Sequence, residues 1–269
     1  LADGPTALTM GGMRWLLAIR LTAVTAVTVA TAGCQSPIDQ VDSAYSKPGD
    51  RRAMHCSIDI DSVTQNDLGS IDGGLDRAKE RGEILELFAH DPGETVGWDV
   101  IEHVFAGVQS RGLSWVTYAD FAAGTAPAGG GLAFAFDDDH VDHWMDGRTM
   151  FAKYGARLTF FLTRYARLQP DQKAGVAQLS TDGHDLEPHS VNHLREPEYV
   201  EDYGLDALMN DEVLPSMTVL QDQGYTMSAY AYPFGARTDD TDKAILEHVS
   251  VLRSVAMTWG APVEAPCPL

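Results

Sequence analysis

The chain has 269 residues, enough for one large domain or two small ones with a real hydrophobic core. Apolar residues make up 44% and charged residues 22%, an ordinary globular composition that argues against wholesale disorder. With 19 Lys and Arg against 39 Asp and Glu, the formal charge of −20 repels phosphate backbones and argues against nucleic acid as a partner; a neutral or cationic substrate, or a bound metal, fits better.

Residues 1–33 read as an export address. Arg14 and Arg20 precede an apolar, Thr-rich run from Leu21 to Ala32 that is short for a membrane span. Thr31-Ala32-Gly33-Cys34 resembles the lipobox of bacterial lipoproteins, where the cysteine is lipidated and becomes the new N-terminus, although Thr31 stands where Leu is usual. That resemblance implies an exported protein anchored by lipid to the membrane of the cell envelope; a plain secretory signal, giving a periplasmic or secreted protein, is the alternative. Residues 34–50 are polar, with Pro37, Pro48 and Gly49, and read as a tether.

Beyond the tether, strand-like and helical runs alternate. Strands are expected at Cys56–Ile60, Ile84–Ala89, Leu113–Tyr118, Leu132–Phe136, Arg157–Leu162, Leu186–His189, Thr226–Tyr232 and Val249–Val255. Helices are expected at Ile71–Arg81, Trp98–Ser110, Val141–Tyr154, Pro170–Thr181 and Asp239–Glu247, with one long helix or two over Tyr199–Gln223. Ala122–Gly131, AAGTAPAGGG, is a small-residue linker. About eight strands separated by helix-length segments predict a parallel α/β barrel or open sheet, with the chemistry at the C-terminal strand ends.

Strand ends therefore matter most. Asp137, Asp138 and Asp139 follow one strand, and burying three adjacent carboxylates needs a cation or a shared proton. His189 and His193 follow another; a four-residue spacing puts two imidazoles on one face of a helical turn, both able to reach one metal, and two His with one carboxylate leave positions open for water and substrate. Pro233-Phe234-Gly235 is a tight turn able to expose backbone N–H groups, and His90 follows Ile84–Ala89. Singly these are weak: Asp runs are usually solvated loops, and His pairs at this spacing are usually coincidence. Their common placement at strand ends carries the weight. Two rivals, a DDxxD diphosphate motif (Asp138, Asp139, Asp142) and a DxD phosphohydrolase motif (Asp137, Asp139, with Val141 in place of Thr), leave the His pair idle.

AFAFDDDHVDHW, RLTFFL, DGHDLEPHSVNH and AYAYPFGAR, all within residues 131–255, together resemble the polysaccharide deacetylase family, the NodB-homology domain of carbohydrate esterase family 4. The resemblance implies a distorted (β/α) barrel that removes acetyl groups from an N-acetylated glycan and releases acetate, with a divalent cation, Zn²⁺ first, on Asp138, His189 and His193. It implies Asp137 as catalytic base and a Phe234 N–H as oxyanion donor. The family's Arg that braces the base falls on Ala231, so that contact is absent or replaced. His184 supports the ligands from behind or is structural.

The family's general-acid His is missing after residue 235, yet residues 82–121 resemble the family's C-terminal section, with His90 in that role. The order implies a circular permutation: residues 51–121 form the displaced C-terminal section, 122–131 the join, and 132–269 the section with the metal motifs. Asp59 or Asp61 orients His90. Cys56 begins the sixth strand and Cys267 trails the fifth, so the two are expected to form a disulfide stapling the new ends. The protein is expected to be a monomer. A non-catalytic glycan-binding lipoprotein, or a C–N hydrolase acting on a non-sugar amide, is the competing reading.

Overall fold

A computed structural model describes residues 37–62, 67–256 and 267. The export segment, the lipobox and Cys34 lie outside the described residues.

In chain order the elements are β1 (Tyr45–Ser46), β2 (Met54–Asp59), α1 (Leu68–Arg81), β3 (Ile84–Ala89), α2 (Trp98–Arg111), β4 (Ser114–Val116) and α3 (Tyr118–Ala123). There follow β5 (Gly131–Asp138), α4 (Val141–Asp146), α5 (Arg148–Lys153), β6 (Thr159–Leu162), α6 (Pro170–Thr181), β7 (Asp185–Pro188), α7 (Glu196–Tyr203) and α8 (Leu205–Leu208). A π-helical turn (Met209–Val213), α9 (Leu214–Gln221), β8 (Ala229–Ala231), α10 (Asp239–Ile245) and β9 (Val251–Val255) complete the fold. Among the described residues no helix is long and apolar enough to cross a membrane.

The sheet runs β7-β6-β5-β3-β2-β9-β8, with every pairing along this path parallel. Parallel pairs need crossover connections, which the helices supply. The last strand pairs with the first long one, Met54 opposite Leu252 and Cys56 opposite Ser254, so the sheet curls into a nearly closed barrel. The remaining seam lies between β7 and β8. There the buried Glu187 carboxylate accepts hydrogen bonds from the Ser228 N–H, at 3.1 and 3.0 Å, and from its hydroxyl.

Alternation along the strands sorts side chains into two layers. On β5, Leu132, Phe134 and Phe136 pack outward under the helices, while Ala133 and Ala135 join Phe88, Phe161, Ala229 and Ala231 in the lumen. Asp137 continues the inward series at the C-terminal end of the strand. Helix ends are set locally: Asp67 caps α1 by accepting from the Ser70 N–H at 2.7 Å, and Gly82 ends it in the left-handed region.

Several expectations are corrected. Residues 37–50 are not a slack tether. Ile38, Ala44 and Tyr45 are buried, and β1 pairs antiparallel with the start of β3, Tyr45 opposite Leu85. The polar composition hid these few apolar anchors. The strand expected at Leu113–Tyr118 shrinks to β4, which pairs with the start of β5 off the barrel path. Thr117 ends it by forming a capping box with Asp120 that starts α3. The helix expected over Val141–Tyr154 breaks at Gly147, whose Cα packs against Phe151 and Trp98 so closely that a Cβ would stand 2.4 and 2.6 Å from their ring atoms.

Cys56 and Cys267, 211 positions apart in sequence, are joined by a disulfide with Cα atoms 6.2 Å apart. Cys56→Ser is expected to lower stability by about 2–5 kcal/mol, because the unfolded chain regains the freedom the cross-link removes. Urea unfolding of the oxidised parent and the variant measures this; equal midpoints and slopes would show that the bond contributes nothing.

Candidate active site

Two strand ends bring three side chains together at the C-terminal mouth of the barrel. Asp138 ends β5, and His189 and His193 follow β7. The Asp138 Oδ1 lies 3.2 Å from His193 Nε2 and 3.9 Å from His189 Nε2, and ligand atoms of all three residues fall within 4.8 Å of one another. His189 Nδ1 donates to the Ala231 carbonyl at 2.8 Å, which fixes the tautomer and turns the Nε2 lone pair toward Asp138. Burial lowers His189 to about 4 and also lowers His193, so both rings are neutral at pH 7, as ligation requires. Burial works against the Asp138 carboxylate, but the His140 imidazole and the two histidines outweigh it and hold the group well below the usual carboxylate range. Asp138 Oδ1 is buried with no hydrogen-bond partner. A buried carboxylate oxygen without a donor, facing two imidazole lone pairs, fits a divalent cation; few other partners would offset its desolvation.

The backbone here is under strain. Asp138, Ser190, His193 and Phe234 all have φ between 59° and 84°, a region L residues occupy only where the surroundings impose it. Phe234 packs its half-exposed ring on His193, with centroids 4.5 Å apart.

Asp137 is 1% exposed; one oxygen has no hydrogen-bond partner and the other is held by Arg253. Arg253 was not singled out from the sequence. It stands on β9 directly opposite Ala231 of β8, so a guanidinium reaches the lumen at the level where Ala231 offers none. Its plane lies between the Phe88 and Phe161 rings, at 4.7 and 4.9 Å from their centroids. Of the two outcomes expected for the bracing contact, absence or replacement, the structure shows a replacement from the neighbouring strand. The available signal was one arginine inside the apolar run VLRSV.

His90 follows β3, and the register that sets Ala89 opposite Phe136 places it beside Asp137. Its Nδ1 meets Asp61 Oδ2 at 2.5 Å, while Asp59 accepts from the Asp61 N–H at 2.8 Å. Of the two candidates, Asp61 is therefore the one that holds the ring. Burial disfavours the charged imidazole, but the Asp61 hydrogen bond and the nearby Asp137 and Asp59 carboxylates outweigh it and lift His90 to about 9. Asp59, Asp61 and His90 also cluster within 4.8 Å, but a protonated ring has no lone pair for a cation.

His184 takes the structural one of its two expected roles and does not support the ligands. It precedes β7 at the opposite end of the barrel from the cluster, accepts from the Leu158 N–H at 3.2 Å and packs edge-on against Phe151 and Phe160. Asp139 faces Arg164, 3.6 Å away. His140 and His143, also missed, both contact the Asp91 carboxylate, and His140 Nε2 stands 3.7 Å from Asp138.

Residues 126–249 match the family model described as "Polysaccharide deacetylase". Among curated proteins none matches this sequence. Three solved structures share the fold. IcaB from Ammonifex degensii is 16% identical with TM-score 0.52, over 68% of this chain and 88% of its own. BC0361 from Bacillus cereus, described as a polysaccharide deacetylase, is 15% identical with TM-score 0.51, over 67% of this chain and 61% of its own. BA0330 from Bacillus anthracis is 14% identical with TM-score 0.53, over 64% of this chain and 57% of its own. The chain thus spans less than two thirds of both Bacillus proteins. The segment that matches the polysaccharide deacetylase model is the one that carries Asp138, His189 and His193, and the solved structures share its barrel fold.

Proposed function

We propose that the protein is a metal-dependent deacetylase that hydrolyses the acetamide of an N-acetylated glycan and releases acetate. One observation carries the reading: a buried carboxylate oxygen with no donor faces two neutral imidazoles beside a second carboxylate and a protonated histidine. A divalent cation on Asp138, His189 and His193, Zn²⁺ by the chemistry of the donor set, would supply Lewis-acid polarisation of the carbonyl and activation of water. Asp137 takes the proton of the attacking water, with Arg253 holding it in place. The Phe234 N–H steadies the developing oxyanion. His90, charged and oriented by Asp61, gives its proton to the departing sugar amine.

The non-catalytic alternative was favoured by the alanine at position 231. Arg253 removes that support, since Asp137 has its guanidinium after all.

The experiment is to measure bound zinc and acetate release from N-acetylglucosamine oligomers and peptidoglycan, with and without chelator. His189→Ala is expected to lose the bound metal and the activity together. Unchanged metal content would sink the ligand assignment, and metal binding without acetate release from any glycan would favour the non-catalytic reading.

The circular permutation belongs to the same proposal. The family match begins at residue 126, after His90, and the disulfide ties the strand at one end of the barrel sequence to the segment at the other. Export and lipidation at Cys34 are supported by the Thr31-Ala32-Gly33-Cys34 sequence and by a disulfide suited to an oxidising compartment.

A further inference from the structure

The loop that carries both histidine ligands is clamped from outside. Between β7 and α7 the chain runs Ser190-Val191-Asn192-His193, with Ser190 and His193 both at positive φ. Such a loop needs its backbone groups held. Ser190 Oγ accepts from the His193 N–H at 2.9 Å, and the Ser190 carbonyl accepts from Thr163 at 3.2 Å. The residue between these points, Asn192, is held by Glu212. One Glu212 oxygen accepts from the Asn192 N–H at 2.8 Å, and the other accepts from its side-chain amide at 2.6 Å. Arg167 donates to the remaining Asn192 oxygen.

Glu212 is 2% exposed and sits in the π-helical turn. That turn has a local cause. Pro215 has no N–H to close an ordinary α-helical bond on Asp211, and just before it the Leu214 N–H reaches back to Met209, five residues away. The widened turn is an energetically poorer path than a regular helix, and such turns recur at functional sites. Here it delivers a buried carboxylate to the one residue lying directly before His193.

We propose that Glu212 is a positioning residue for the cation site: by gripping Asn192 at two points it fixes the loop 189–193, so cation affinity depends on a side chain that touches no cation. This rests on the reading of His189 and His193 as ligands. Supporting groups of this kind typically change metal affinity by about 10- to 100-fold when removed.

The test is Zn²⁺ affinity by chelator competition on the folded, purified chain, with melting curves recorded alongside. Glu212→Gln and Asn192→Asp each spoil the side-chain pair, the first by setting two amides face to face and the second by opposing two carboxylates. Each is expected to weaken Zn²⁺ about 10- to 100-fold. The double variant restores a matched pair, with the new amide donating to the new carboxylate, and is expected to recover to within about threefold of the parent. A merely structural role would move melting temperature without this rescue of affinity. Folded single variants that bind Zn²⁺ like the parent would overturn the proposal, as would a double variant as weak as the two losses combined. His193→Ala separates the two readings. If it too binds like the parent, the ligand assignment fails; if it loses Zn²⁺ while Glu212→Gln and Asn192→Asp do not, only the positioning role fails.

Discussion

Arg253→Met is expected to lower stability by about 3–5 kcal/mol, because it leaves the Asp137 carboxylate buried without its cation. Acetate release is expected to fall about 10- to 100-fold at the same time, since the base loses the group that aims it. The apolar replacement fills the space between Phe88 and Phe161, so packing is largely kept and the electrostatic loss is what the experiment reads. Urea unfolding and initial rates measure the two effects. The informative partner is the double variant Ala231→Arg with Arg253→Ala. It moves the guanidinium one strand across at the same register level, because the two positions are paired directly. Recovery of rate in the double variant would place the effect in the charge rather than the strand. If Arg253→Met is as stable and as active as the parent, the bracing role is wrong.

The second large effect is at His90. His90→Gln is expected to reduce acetate release about 10²- to 10⁴-fold while leaving bound metal unchanged, as fits a proton donor that is not a ligand. The pH dependence follows from its raised pKa, about 9 against an ordinary 6.5. The donor must be protonated, so the rate should hold through neutral pH and fall as pH rises through about 9. Asp61→Asn removes the group that makes the direct hydrogen bond, and the alkaline limb is expected to move to lower pH. The stability effect has the same sign. Because the folded value is raised, the contribution is fully present below the unfolded pKa and is lost as pH climbs through the folded one. A limb that stays where it was in Asp61→Asn would detach His90 from the profile.

Much of this site could be read in the residues. The runs GLAFAFDD and TFFL announce buried strands, and the chemistry follows them because parallel barrels gather the C-terminal ends of their strands. His189 and His193 drew notice through helical spacing, yet they sit on a non-helical loop with Ser190 and His193 at positive φ, and it is this loop that brings the rings together; Asp138 drew notice through the repulsion of adjacent carboxylates. What escaped depends on register between distant strands. Nothing local says that residue 253 lies opposite residue 231, so the missing arginine looked like a vacancy when it had moved to a neighbour. The choice between Asp59 and Asp61 stayed open for a similar reason: both lie at the end of the same strand, and only the loop after β2 decides which one meets His90. The two roles left open for His184 could not be told apart because it shares a short segment with His189; a strand separates the two residues and sends them to opposite ends. The segment 37–50 reads as polar on average, while its placement depends on single buried side chains, Ile38 and Tyr45.

The floor of the barrel sets how material moves through it. Below Asp137 the lumen holds Glu86, which meets His55 Nδ1 at 2.8 Å and the Tyr118 hydroxyl at 3.1 Å, and which Ser46 of β1 also contacts. All four are at most 1% exposed, and Arg253 fills the space above them. The mouth of the barrel is therefore closed from below: if the proposed hydrolysis takes place there, whatever enters at the C-terminal end must leave by the same end.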